Sequence, residues 1–144
     1  MSGKSPQIFR AGVPLEFVKS MASESEFVPG RRPFFKYREL GVIKGTGGQM
    51  RAQITSCGEV GLSAPTGWHY HLCDVQFTYM IKGWVDLEFE DGTRLRQGPG
   101  DALLIPGGTI HQEVRTAEVL EVLEISLPAD MGTVNCEAPP DAPK

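Results

Sequence analysis

The chain contains three histidines, His69, His71 and His111, and their spacing suits a metal ion. His69 and His71 form a His-x-His pair within Trp68–Leu72, a stretch that reads as a short strand. Strand alternation puts residues i and i+2 on one face, with Cβ atoms roughly 7 Å apart. Two imidazoles so placed can converge on one divalent ion lying about 2.1 Å from each ring nitrogen. Further ligands must come from neighbouring strands. Gln76 opens the next strand, and His111 lies on a later one after a Pro106-x-Gly108 turn. Asp74, in the turn after His71, is an alternative donor. So is Cys73, whose thiolate would pull the site toward zinc. The plain alternative, three structural histidines, must explain why no histidine stands elsewhere in the chain.

Such ligands need a rigid frame. Seventeen glycines and eleven prolines are spread along the chain rather than pooled in a linker, which is the pattern of many short strands joined by turns. Gln49–Ser56 alternates, with Met50, Ala52 and Ile54 on one face and Arg51 and Gln53 on the other. In Trp84–Glu90, Val85, Leu87 and Phe89 point one way and Asp86 and Glu88 the other. Asp91-Gly92 is a hairpin signal. Phe34–Leu40, Gln76–Ile81, Thr93–Gln97, Ala102–Ile105, Ile110–Arg115 and Val119–Leu127 are the other expected strands, and Gly45–Gly48 is expected to be a loop. Short strands without a long amphipathic helix predict an all-β sandwich or jelly roll. Residues 1–33 are expected to form an arm on the barrel or on a second subunit, 34–128 the barrel, and 129–144 a frayed tail.

A chain of 144 residues is one domain, able to bury a core without disulfides. The net charge of −4 argues against nucleic acid or an anionic membrane as partner. No apolar run is long enough to span a bilayer, and the first residues lack the apolar stretch of a secretory leader. The cysteines, Cys57, Cys73 and Cys136, are odd in number and without framework spacing, so a reducing cytoplasmic location is expected. Residues 1–33 carry no helix-turn-helix pattern.

The spacings resemble the two signatures of the cupin family. The first, Gly-x5-His-x-His-x4-Glu-x6-Gly, is met by His69-x-His71-x4-Gln76-x6-Gly83. The second, Gly-x5-Pro-x-Gly-x2-His-x3-Asn, is met by Gly100-x5-Pro106-x-Gly108-x2-His111-x3-Arg115. The resemblance covers roughly residues 63–115, and every histidine falls on a ligand position. It implies a double-stranded β-helix (jelly-roll) barrel of the small single-domain cupin type, often assembled as a homodimer. It also implies one divalent metal ion (Mn, Fe, Ni, Co or Zn) in the barrel mouth, held by His69, His71, Gln76 and His111. Three positions depart from the signatures. Ser63 stands for the first glycine, Arg115 for the closing asparagine, and Gln76 for the ligating glutamate. Some cupins use three histidines and one glutamine, so the last change does not abolish a site.

The exchange has physical consequences. A glutamine carbonyl coordinates a divalent ion but carries no charge. Three imidazoles and an amide leave the site with the full double charge of the ion, where a glutamate would halve it. Weaker metal retention, stronger Lewis acidity and a preference for an anionic substrate are expected. The higher charge also disfavours an oxidised ion, which favours substrate polarisation over redox chemistry.

Parity supplies pocket candidates. Thr78 and Met80 share the face of Gln76. Arg51, if its face is inward, could hold a substrate carboxylate; the plain alternative is a solvated arginine. Glu113 shares the parity of His111 and is the candidate for proton transfer. Trp68, Tyr70, Phe77, Tyr79 and Trp84 could serve as sheet core, dimer surface or pocket wall. Three functions fit. One is a metal-dependent isomerase, lyase or hydratase acting on a small oxygenated, anionic molecule. The second is a dioxygenase using Fe(II) or Ni(II). The third is a non-catalytic small-ligand binding protein.

Overall fold

The computed structural model describes residues 12–29, 35–57, 61–62 and 64–142. The alternating segments form β1 (Val28–Pro29), β2 (Phe35–Glu39), β3 (Arg51–Cys57), β4 (His69–Leu72), β5 (Val75–Lys82), β6 (Val85–Phe89), β7 (Arg94–Gln97), β8 (Ala102–Pro106), β9 (His111–Thr116), β10 (Leu120–Leu127) and β11 (Gly132–Asn135). They make two antiparallel sheets, ordered β1-β2-β3-β10-β5-β8 and β11-β4-β9-β6-β7. The sheets close on each other as a jelly-roll barrel. No helix among the described residues is long and apolar enough to cross a membrane.

The expected strands are found to within a residue or two, and two segments differ from expectation. The loop around Gly45 begins as a helical turn, α1 (Val42–Gly45), whose Val42 N–H donates to the Glu39 carboxylate at 3.0 Å. The segment after Pro128 is ordered sheet rather than frayed: β11 pairs with β4, Thr133 opposite His71, and Ala129 and Met131 are buried. Its short strand signal is masked by Pro128 before it and by Pro139 and Pro140 after it. The N-terminal arm packs on the barrel. Glu16 N–H donates to the Gly45 carbonyl at 2.8 Å, and Arg38 Nη2 reaches the Ser20 carbonyl and hydroxyl at 3.2 and 3.1 Å. Arg31, Arg32, Phe34 and Ser63 lie outside the described residues.

Polarity changes along the barrel axis. On β3 the inward face is Arg51, Gln53, Thr55 and Cys57; opposite them on β10 stand Ser126, Glu124, Val122 and Leu120. On β5, Gln76, Thr78 and Met80 stand against Ser126, Glu124 and Val122. Each strand therefore runs from polar to apolar inside the barrel. The apolar end is the core: Cys57, Met80, Val85, Leu87, Leu120 and Val122, with Phe35, Phe89, Leu95 and Leu103 packed against it. The polar end is the mouth.

Candidate metal centre

The histidines meet because β4 and β9 pair at that end of the barrel. His69 is the direct cross-strand partner of His111, and His71 lies two residues further along β4. Ring centroids are 4.6 Å apart for His69–His111, 5.2 Å for His69–His71 and 5.3 Å for His71–His111. One nitrogen from each ring lies within 4.8 Å of the others. Two rings have their tautomer fixed by backbone. His69 Nδ1–H donates to the Gly67 carbonyl at 2.7 Å, and His111 Nδ1–H to the Thr109 carbonyl at 2.9 Å. His71 Nδ1 lies 3.0 Å from the Thr133 hydroxyl, which can accept its proton. With Nδ1 protonated, the lone pair is on Nε2, the arrangement that outer partners impose on metal-binding histidines.

The turn between β8 and β9 presents His111. Gly107 N–H donates to the Asp74 carbonyl at 2.9 Å and Gly108 N–H to the His71 carbonyl at 3.0 Å, tying this turn to the one after β4. Gly108 has φ +83°, which side chains rarely adopt. A Cβ at Gly107 would collide with the Cys73 carbonyl. The two glycines thus answer different demands, one conformational and one spatial.

The facing wall comes from the six-stranded sheet. Gln76 is buried; its Nε2 donates to Glu124 Oε2 at 3.2 Å, and its Oε1 has no hydrogen-bond partner. A buried amide oxygen without a partner costs free energy that a ligand could offset. Gln76 lines one polar cavity with His69, His71, Glu113, Glu124 and Arg51. Burial pushes the Glu124 carboxyl up from its ordinary pKa; the Thr55 hydrogen bond, Arg51 and Gln76 oppose that, and Glu113 adds to it. Glu113 Oε2 lies 3.4 Å from His69 Nε2 and accepts from Thr66 Oγ1 at 3.3 Å. With the proton on Nδ1, the Nε2 lone pair of His69 and the Glu113 carboxylate face the same cavity. The donor set of three Nε2 atoms and an orphaned amide oxygen fits a divalent ion.

The cupin-domain profile matches residues 59–126 of the sequence. The match marks residues 59–126 as a cupin domain. No curated protein matches it by sequence. Among solved structures it is similar to the polyketide cyclase RemF from Streptomyces resistomycificus, at 20% identity over 88% of this chain and 89% of that one, with a TM-score of 0.66. It is similar to KdgF from Halomonas sp., at 20% identity over 78% and 94%, TM-score 0.58. It also resembles the Bacillus subtilis oxalate decarboxylase studied for its Mn(II) centres, at 17% identity over 81% and 32%, TM-score 0.56. At these identities the likeness is one of fold.

The remaining candidates sort by position in the cupin barrel. Thr78 and Met80 face inward as expected, but they line a deeper apolar chamber that reaches His111, and the Thr78 hydroxyl accepts from Gln97 at 3.1 Å. Arg51 faces the mouth. Asp74 is exposed, and neither it nor Cys73 joins the histidine group. Burial pushes the Cys73 thiol up, with Asp74 adding to it and Arg51 opposing it. Arg115 departs from the signature without consequence for the mouth. A register shift in the β6–β9 pairing turns it outward, 3.5 Å from Asp86. The aromatics nominated from sequence do not line either chamber; Phe35 and Tyr37 do. Sequence reasoning also missed Glu124 and Thr133. The parity of Glu124 with Leu120 and Val122 was the available signal for the first.

Proposed function

We propose that this cupin-domain chain is a metal-dependent enzyme that acts on a small oxygenated, anionic substrate by an isomerase-, lyase- or hydratase-type reaction. One divalent ion would be held by His69, His71, Gln76 and His111. One observation carries the reading: three imidazoles engaged through Nδ1 bring one nitrogen each within 4.8 Å of the others, and two of them, His69 and His71, share a cavity with a buried, partnerless amide oxygen and the guanidinium-bearing Arg51. When bound, such an ion supplies Lewis acidity to a substrate oxygen. Arg51 supplies a planar cation at the mouth, suited to a carboxylate. Glu113 holds Oε2 at the cavity wall beside His69, fixed by the Thr66 hydroxyl, where it can take up and return a proton. The polar and apolar chambers measure about 70 Å³ each, room for a few heavy atoms, which supports a small substrate and limits water. Ring closure, the activity named for RemF, is a neighbouring member of this reaction class.

The test is metal analysis of the purified protein, then turnover assays on small 2-oxo and hydroxy acids with oxygen uptake recorded. One ion per chain and metal-dependent product without oxygen consumption are expected. Stoichiometric oxygen uptake would replace this reading with the dioxygenase one. Tight binding without product would make the protein a ligand-binding module.

A further inference from the structure

We infer that Glu124 aims Gln76: its carboxyl group holds the side-chain amide so that Oε1, not Nε2, is left for the ion. This rests on the reading of Gln76 as a ligand. A primary amide has two ends of nearly equal shape, so its neighbours decide which end faces where. Gln76 Nε2 donates to Glu124 Oε2 at 3.2 Å while Oε1 stays buried and partnerless. Turned over, the amide oxygen would meet a carboxylate oxygen, and two N–H donors would take the place of the acceptor.

The frame around this contact is rigid. Glu124 on β10 is paired with Gln53 on β3 and with Thr78 on β5, and Gln76 lies two residues from Thr78 on the same face. Thr55 hydrogen bonds the carboxylate, and Arg51 provides a nearby positive charge. Glu124 keeps an inward position two residues from Val122, where an apolar side chain would be easier to bury. A carboxylate placed at such expense, touching a ligand candidate through one hydrogen bond, acts as a positioning residue.

Co(II) affinity by calorimetry and apoprotein melting temperature test the idea together. Glu124→Gln should weaken Co(II) binding about 10-fold, the lower end for outer partners of ligands. It should leave the apoprotein melting temperature unchanged or higher, because a buried carboxylate is gone. Gln76→Glu with Glu124→Gln should restore affinity to wild type or above, since the amide then donates to a carboxylate ligand. Its affinity should also exceed that of Gln76→Glu alone, where two carboxylates face each other, and a merely structural role for Glu124 does not give that gain. His71→Ala is the control. Lost binding there with unchanged affinity in Glu124→Gln would overturn the aiming role alone. Unchanged binding in His71→Ala would overturn the metal site itself. Should Glu124→Gln not fold, the double variant decides: affinity no better than Gln76→Glu alone overturns the inference.

Discussion

The two walls of the barrel mouth are chemically unlike. The five-stranded sheet brings His69, His71 and His111, three rings fixed through carbonyls of Gly67 and Thr109 and the hydroxyl of Thr133. The six-stranded sheet brings Gln76, Glu124, Arg51 and Gln53, a hydrogen-bonded layer carrying charge of both signs. The first wall supplies lone pairs, and the second sets the field they work in. Identical ligand motifs can therefore serve different chemistry when side chains across the barrel change, which is why a cupin fold does not name a reaction.

The largest expected effect comes from breaking the histidine wall. His71→Ala should abolish stoichiometric divalent-metal binding, read by metal analysis after dialysis. The apoprotein should melt within about 5 °C of wild type, because the barrel core lies at the other end. Breaking the facing wall should separate anion binding from metal binding. Arg51→Ala should weaken a small dicarboxylate about 10- to 100-fold in titrations of the metal-loaded protein, the range for a hydrogen-bonded charge pair. Metal affinity should hold or rise, since a cation beside the site is gone. A smaller effect is expected from Thr133→Val, which removes the Nδ1 partner of His71. Co(II) affinity should fall by up to about 10-fold, with the sheet pairing of β11 intact by hydrogen exchange.

Outside the barrel the contrast should vanish. Arg96 donates to Asp86 at 2.7 and 3.0 Å and lies over the Trp84 ring at 3.7 Å. The Arg96 hydrogen bonds hold the Asp86 carboxyl below its ordinary value of 3.8. Its contribution to stability is present above that value and is lost as pH falls through the lower folded value. Asp86→Asn should lower the melting temperature slightly at neutral pH and approach wild type as both are acidified through the lowered folded value. Metal affinity should not change.

The histidine wall was legible in the sequence because its geometry is local. A two-residue repeat on one strand and a glycine turn before another place the rings, and alternation alone exposes most strands. The facing wall depends on which strands are neighbours. Counting along β10 puts Glu124 among Val122 and Leu120, but nothing in the sequence says that β5 lies beside it. The register shift at Glu121 and Val122 further defeats counting from the motif. Parity placed Thr78 and Met80 inward but could not tell the apolar chamber from the mouth. Arg115 and β11 show the same limit: a bulge reverses one side chain, and a strand bounded by prolines passes for a tail.

Anomalous diffraction from crystals of the Co(II)-loaded protein tests the central claim most directly. A single peak within about 2.0–2.3 Å of Nε2 of His69, His71 and His111 and of Oε1 of Gln76 is expected. A peak that leaves Gln76 Oε1 uncoordinated, or no peak among the three rings, would contradict it.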